Sequence, residues 1–349
     1  RRLMQEEKDH HHVRCFEKGR EFILNNCDND NWYLQLEYFD PHEPFFVPER
    51  FKRWYTDEPT DTDWPEYRPY SEDERDSIRQ FRINYAALVS MCDEYLGKIL
   101  DLFDEYDLWK DTMLIVNTDH GFMLGEKGFV GKNYMPVYDE LANIPFFIHD
   151  PARPRADGTR VPALAQTPDI PCTLLDFFSV PRGEHMTGKA LQPLLDGAGA
   201  IHDYILYGYF GMHVNMTDGR YTYMRCARTA DNRPLYQYTL MPWHIQKPMM
   251  IPEIAQADDT LFRGFEFARH TPLLKIPVDE RYDKKRYYRY SSHMQYGSLV
   301  FDRQRDTQQL SPIKDAQLEA SLAGVMARLM RENEAPAEQF VRLGLEDRD

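Results

Sequence analysis

A long helical pattern followed at once by a short apolar run constrains the fold of this chain more than any other feature. Apolar residues recur every three or four positions over residues 77–109, which predicts an amphipathic helix. Residues 112–118 then read Thr-Met-Leu-Ile-Val-Asn-Thr, a run typical of strands buried on both faces of a parallel sheet. A helix that feeds such a strand is the repeating unit of an α/β fold.

The remaining patterns extend this organisation and divide the chain near residue 210. The other predicted elements before that point are an amphipathic helix at residues 4–25, an aromatic-rich strand at 31–39, a buried strand at 144–148 and a helical stretch that includes 173–178. Beyond it the segments become short and alternating, and a last helix is predicted near residues 313–333. We therefore expect an α/β/α sandwich with a largely parallel central sheet over residues 1–210. A small C-terminal antiparallel sheet with a helix is expected over residues 211–349.

Charge and cysteine content restrict the classes of partner. The formal net charge of −15 repels nucleic acid and anionic membranes, so neither is expected as a partner. The five cysteines are scattered and form no CxxC pair, which favours a reducing compartment such as the cytoplasm. The sequence starts with Arg1 rather than Met, and we expect the true N-terminus to lie upstream.

The residues that follow the predicted strand at 112–118 are candidates for a metal site. Residues 117–121 read Asn-Thr-Asp-His-Gly, and ligands of open α/β sheets bind outside the carboxyl ends of the strands. A carboxylate beside an imidazole suits a divalent cation. Taken alone, Asp119 and His120 are better explained as a turn cap beside a surface histidine.

The surrounding sequence resembles the sulfatase family of the alkaline-phosphatase superfamily. The resemblance runs through residues 119–132, Asp-His-Gly-Phe-Met-Leu-Gly-Glu-Lys-Gly-Phe-Val-Gly-Lys, and continues over residues 138–148. It implies an alkaline-phosphatase-like fold in which Asp119 and His120 complete a site for one divalent metal ion. Calcium is the metal ion that we expect there. It also implies that Lys132 contacts the sulfate or phosphate group. Lys127 stands where many relatives have histidine, and we leave it out of the site.

A second segment matches the same family in the same order along the chain. Residues 39–45, Phe-Asp-Pro-His-Glu-Pro-Phe, resemble the family's His-x-Pro-Phe segment, whose histidine points at a substrate oxygen. His42 is therefore expected to be catalytic together with Lys132. A histidine on a stiff, proline-flanked loop can hydrogen-bond the ester or pass a proton to the leaving group near neutral pH.

Two other histidine-containing features receive a different interpretation. Asp9, His10, His11 and His12 are consecutive, and consecutive helix positions splay about the axis, so we expect a solvated helix face rather than a metal cluster. His213 has no motif, but it precedes a predicted hairpin and is the isolated histidine with the strongest claim to lie near a site.

The nucleophile that the resemblance implies is missing from these residues. The family's nucleophile is a Cys or Ser in a Cys/Ser-x-Pro-x-Arg motif that is converted to formylglycine, and no cysteine or serine here begins such a motif. We expect formylglycine and an acidic pair of metal ligands in an N-terminal part that this sequence lacks. Residues 1–210 would then be the C-terminal part of the catalytic domain and 211–349 a small α+β subdomain. The isolated chain is expected to be inactive.

The resemblance implies a hydrolase of sulfate monoesters whose substrate is a small-molecule or saccharide sulfate ester. The alternative in the same superfamily is a phosphonate monoester or phosphodiester hydrolase, which would favour manganese or zinc because imidazole suits those ions better than calcium. An alternative from another class is a non-catalytic homologue that binds the same anions. A homo-oligomer is compatible with the sequence.

Overall fold

The computed structural model describes residues 6–60, 64–244, 247–279, 281 and 290–346. Its helices are α1 (His11–Asn26), α2 (Glu49–Lys52), α3 (Arg75–Glu105), α4 (Asp139–Ala142), α5 (Asp169–Phe177), α6 (Gln192–Leu195), α7 (Ile251–Ile254), α8 (Ala316–Glu332) and α9 (Ala337–Leu343). Short 3-10 helices lie at Glu7–Asp9, Glu72–Glu74, Leu108–Lys110, Glu126–Gly128, Pro154–Ala156 and Tyr290–Gln295. Over the described part of the chain, no helix combines the length and the apolar character that crossing a membrane requires.

The strands form several small sheets whose ladders, over the described residues, are all antiparallel. They are β1 (Arg68–Pro69), β2 (Leu114–Asn117), β3 (Met123–Leu124), β4 (Phe129–Gly131), β5 (Phe146–His149), β6 (Ile205–Gly208), β7 (Val214–Thr217), β8 (Tyr221–Arg225), β9 (Tyr236–Thr239), β10 (Leu274–Pro277) and β11 (Leu299–Asp302). Their orders are β1-β4-β3, β2-β5, β10-β9 and β11-β8-β7-β6.

The chain divides into two compact units. The first comprises Arg1–Lys132 and Ile144–Thr159, and the second comprises Asn133–Asn143 and Arg160–Asp349. The boundary predicted at residue 210 lies inside the second unit, and the assignment of residues 1–210 and 211–349 to separate domains stays a prediction.

The long helix α3 organises the first unit and confirms the helix predicted at residues 77–109. Its buried face includes Phe81, Leu88, Met91 and Ile99, whose spacing of three to eight residues keeps them on one side of the helix. This face shares a core with the buried side chains of α1, which are Val13, Phe16 and Ile23. Burying each such side chain stabilises the fold by about 1.5–3 kcal/mol. The helix ends at Glu105 with Tyr106 as its C-cap, because Asp107 takes up left-handed backbone angles (φ 54°).

Two predicted strands differ from what the structure contains. The strand predicted at residues 112–118 is β2, but its side chains are half-buried rather than buried, and it pairs antiparallel with β5 through Ile115 and Ile148. An apolar run does not report strand direction, which explains the difference. Residues 32–39 are extended and their exposure alternates residue by residue, but they form no ladder with any described residue. Their pattern records which side chains face the protein, whereas a strand also needs a backbone partner.

The second unit contains the antiparallel sheet and covering helix predicted for the C-terminal part. The buried sheet residues Met216, Tyr223 and Val300 share one core with Leu322 and Met326 of α8. The α8 helix begins where the Asp315 side chain accepts hydrogen bonds from the first-turn amides. The hairpin predicted after His213 turns at Asp218 and Gly219, an Asp-Gly pair that joins β7 to β8, and Gly219 takes a positive φ of 89°.

Candidate functional site

Asp119 and His120 lie directly after β2 and their side chains face each other. His120 Nε2 is 3.3 Å from Asp119 Oδ2. The other carboxylate oxygen, Oδ1, accepts hydrogen bonds from the His120 backbone amide at 2.9 Å and from the Thr118 hydroxyl at 3.3 Å. The chain turns at the strand end, so two adjacent residues that would point apart on a regular strand point the same way.

The hydrogen bonds of this pair leave its metal-binding atoms directed at each other. His120 Nδ1 donates to the Gly121 carbonyl at 2.9 Å, so in the neutral ring Nε2 carries the lone pair that faces Asp119. Burial acts to raise the pKa of Asp119, but neighbouring His120 and the hydrogen bonds to the carboxylate hold it below its usual value. A carboxylate oxygen and an imidazole nitrogen fit a divalent cation, which would need further ligands because these two residues supply only two.

Lys132 and His42 come together from separate segments of the first unit. Lys132 follows β4, and its Nζ lies 2.6 Å from His42 Nε2. His42 Nδ1 donates to the Glu43 carbonyl at 2.6 Å, so Nε2 of the neutral ring accepts from the lysine. The Lys132 side chain is 12% exposed and the His42 side chain 36% exposed. A compact positive charge and an imidazole therefore meet at a partly screened position.

Two residues beside this contact were not predicted from the sequence. The Glu43 carboxylate, 6% exposed, lies 3.5 Å from Lys132 Nζ and accepts a hydrogen bond from the Tyr67 hydroxyl. It also lies 3.4 Å from His42 Nδ1. The signal for Glu43 was its position next to His42 between two prolines. Tyr67 had none, because it belongs to the irregular segment after residue 40 that carries no periodicity.

Aromatic packing ties the segment after His120 to the segment after His42. The ring of Phe122, two residues beyond His120, packs edge-on against Phe45 with centroids 5.4 Å apart. It also packs against Tyr67 at 5.7 Å, and that tyrosine holds Glu43. The four residues predicted for the site thus belong to one packed region of the first unit. Their catalytic and metal-binding roles stay predictions.

The expectation of a solvated face for residues 9–12 is wrong. His10 is 1% exposed and His12 is 2% exposed, and all three histidine rings surround the buried carboxylate of Asp40. The three histidines are not three consecutive helical positions, because His10 caps α1 with extended angles (φ −64°, ψ 135°) and only His11 and His12 are helical. The change in backbone angles at the cap redirects the His10 ring.

His213 is also buried, at 1% exposure. Its Nδ1 lies 2.6 Å from His293 Nδ1 and its Nε2 donates to the Gly297 carbonyl at 2.8 Å. It belongs to the second unit, and its contacts with His293 and Gly297 are with residues of that same unit.

Comparison with known protein families gives two matches. The family described as sulfatase matches residues 4–180, which is just over half of the chain. The family described as N-sulphoglucosamine sulphohydrolase, C-terminal, matches residues 125–269. The first match contains all four residues predicted for the site.

Individual relatives agree with these matches. A choline-sulfatase from Rhizobium meliloti is 25% identical over 270 residues, covering 68% of this chain and 50% of the relative. An N-acetylglucosamine-6-O-sulfatase from Bacteroides thetaiotaomicron is 31% identical over 121 residues, covering 35% of this chain and 21% of the relative. This chain thus spans half or less of the length of these relatives.

A solved structure is similar over nearly the whole chain. The phosphonate monoester hydrolase of Agrobacterium radiobacter superposes with a TM-score of 0.62 at 16% identity, covering 95% of this chain and 62% of the other. The expected alkaline-phosphatase-like α/β fold is confirmed at this level.

Proposed function

Because this chain belongs to the sulfatase family, we propose that it supplies part of the metal site and the substrate-anion contacts of a hydrolase of sulfate monoesters. The observation that carries the proposal is the 2.6 Å contact between Lys132 Nζ and His42 Nε2, in the same packed region as the Asp119–His120 pair. A cation and a proton-transfer group in the same packed region as two candidate metal ligands are what cleavage of an anionic ester requires.

Lys132 is proposed to bind a non-bridging oxygen of the ester. Its side chain is 12% exposed, and at such a position a charge interacts more strongly with an anion than it would in bulk water.

His42 is proposed to hydrogen-bond the bridging oxygen and to deliver a proton to the leaving group. Its Nδ1 proton is committed to the Glu43 carbonyl, so proton transfer uses Nε2, which accepts from Lys132 in the neutral ring and must first take up a proton from Lys132 Nζ or from solvent. The Glu43 carboxylate, 3.4 Å from His42 Nδ1 and 3.5 Å from Lys132 Nζ, is placed to stabilise positive charge shared by the two. Glu43 is thus proposed as a positioning residue.

Asp119 and His120 would hold one divalent cation, which supplies polarisation of the ester oxygens when bound. We propose calcium, since sulfatases are generally metal-dependent and carboxylate oxygen is its preferred ligand. The formylglycine nucleophile of the family is proposed to lie in a part of the protein outside these 349 residues. For the substrate we propose a small-molecule or saccharide sulfate, in line with the relatives named for choline sulfate and N-acetylglucosamine-6-O-sulfate.

The second candidate is a phosphonate monoester or phosphodiester hydrolase, favoured by the imidazole in the metal pair. The experiment measures kcat/KM of the full-length protein for an aryl sulfate and for an aryl phosphonate monoester, with calcium or manganese supplied. We expect faster turnover of the sulfate. Faster turnover of the phosphonate would replace the proposal with the second candidate, and binding of both without hydrolysis would indicate a non-catalytic anion-binding protein.

A further inference from the structure

A second group of metal-ligand side chains lies away from Asp119 and His120, at the start of α1. We call it the His10–Asp40 cluster, and it consists of His10, His11, His12 and Asp40. The carboxylate oxygen Oδ2 of Asp40 lies 3.6 Å from His10 Nδ1, 2.9 Å from His11 Nε2 and 3.4 Å from His12 Nδ1. The ligand atoms of His10, His11 and Asp40 all lie within 4.8 Å of one another.

The hydrogen bonds around this cluster leave two of its inward-facing atoms, one on His11 and one on Asp40, without a partner. His10 Nε2 donates to the Phe46 carbonyl at 3.2 Å, so Nδ1 of the neutral ring carries a lone pair, which accepts a long hydrogen bond from the His12 amide at 3.4 Å and lies 3.6 Å from Asp40 Oδ2. His11 Nε2 and Asp40 Oδ2 are both buried atoms with no hydrogen-bond partner. They lie 2.9 Å apart, a separation at which a protonated His11 ring would form an ion pair with the carboxylate. Buried acceptors that face each other are costly unless a cation lies between them.

The separations suit a small divalent ion. Ligands bound at about 2.0–2.1 Å in a tetrahedral zinc site lie roughly 3.3 Å apart, and the observed 2.9 Å and 3.6 Å to Asp40 Oδ2 lie on either side of that value. The hydrogen bond from His10 to a backbone carbonyl is the contact that fixes the ring of a metal-binding histidine. A set of two imidazoles and one carboxylate suits zinc better than it suits calcium.

Aromatic rings enclose the cluster. His11 packs edge-on against Phe39 with ring centroids 5.3 Å apart, and His12 stacks on Tyr38 at 4.2 Å. The Asp40 side chain is 2% exposed, whereas that of His11 is 41% exposed. An ion would therefore reach the carboxylate from the His11 side.

From this geometry we propose that His10 Nδ1, His11 Nε2 and Asp40 Oδ2 bind a divalent transition-metal ion, zinc by its chemistry, separate from the cation of the Asp119–His120 pair. The ion joins the first turn of α1 to the loop that carries His42, two residues after Asp40. Its role is to hold that loop in place. The inference does not rest on the proposed hydrolase activity, because it concerns metal binding alone.

The test is zinc binding by the full-length protein that carries Asp119→Ala, so that the other site does not compete. Calorimetric titration should give about one equivalent, and cobalt in place of zinc should give the absorption of a low-coordinate imidazole-carboxylate site. His11→Ala, chosen because that side chain is the most exposed of the ligands, should weaken zinc binding at least about a hundredfold. This loss exceeds the 10–100-fold typical of residues that only support a ligand.

Two controls keep the test sharp. His270→Ala removes an exposed histidine of the second unit and should leave zinc affinity unchanged. Asp40→Asn, with folding checked by circular dichroism, should weaken zinc binding as His11→Ala does. The proposal fails if the Asp119→Ala protein binds no zinc, or if zinc binds with the same affinity after His11→Ala. In either case the buried acceptors share a proton instead of a metal ion.

Discussion

The Asp119–His120 pair and the His10–Asp40 cluster contain the same kinds of ligand in opposite surroundings. In each, a histidine donates one ring N–H to a backbone carbonyl and directs the other nitrogen at a carboxylate. The Asp119 side chain is 79% exposed, whereas that of Asp40 is 2% exposed. An open pair leaves coordination positions for further ligands and substrate, while a closed cluster holds two segments together. Within these 349 residues, burial rather than ligand type distinguishes the two proposed metal sites.

The largest expected effect tests whether the open pair is part of a larger site. Residues 1–349 expressed alone should hydrolyse neither an aryl sulfate nor an aryl phosphonate above background, even with added divalent metal, because the covalent route needs a nucleophile. The full-length protein, measured beside it, should hydrolyse one of the two. Metal-dependent turnover by the short chain would mean that one of its own residues performs the attack.

Next in size is the loss of the lysine contact. Lys132→Ala in the full-length protein should lower kcat/KM for the aryl sulfate by about 10²–10³-fold, the usual result of removing an electrostatic stabiliser of the transition state. Lys127→Ala, five residues away and outside the predicted site, is the matched control and should change kcat/KM little. Equal effects of both substitutions would remove Lys132 from the site.

A smaller effect should show whether the two proposed metal sites are independent. Asp119→Asn keeps an oxygen ligand but loses its charge, so the calcium concentration needed for half-maximal activity should rise about 10–100-fold. Zinc binding at the His10–Asp40 cluster should not change. His11→Ala should give the converse pattern in the two titrations. One titration altered by both substitutions would indicate a single shared site.

The smallest effect concerns a pair of histidines that lacks a carboxylate. Burial lowers the pKa of His213 to about 4, and that of His293 to about 3. Both values lie below the unfolded value near 6.5, so the unfolded state binds more protons as the pH falls from 6.5 towards 4, and stability is lost in that window. Urea unfolding at pH 7 and pH 4.5 should show a loss of roughly 2 kcal/mol per histidine.

The matched variants for this measurement are His213→Asn and His270→Asn. The first should flatten the dependence of unfolding free energy on pH, and the exposed control should not. Neither should alter zinc binding, because the His213–His293 pair contains no acid. An unchanged dependence on pH after His213→Asn would assign the acid sensitivity to other groups.

Sequence patterns predicted the elements that depend on local periodicity. The helices α3 and α8, the hairpin at Asp218 and Gly219 and the C-terminal antiparallel sheet follow from spacing and turn chemistry. The strand predicted at residues 31–39 did not form among the described residues, because pairing depends on a backbone partner that the local pattern does not specify.

The candidate site was predictable only where short motifs carried it. Asp119, His120, Lys132 and His42 came from two motif segments, while Tyr67 and Glu43 joined the site through tertiary contacts. The His10–Asp40 cluster was missed for a physical reason: a change of backbone angles at the helix cap brings His10 back towards its neighbours. Helical spacing does not describe a residue that lies outside the helix.

The most direct test of the proposed metal pair Asp119–His120 is an anomalous difference map from crystals of the full-length protein soaked in manganese, which can replace calcium and scatters anomalously. We expect a peak within bonding distance of both Asp119 and His120 Nε2, on the side where Oδ2 and Nε2 face each other. A peak elsewhere with none at this pair, while the crystals still hydrolyse the ester, would contradict it.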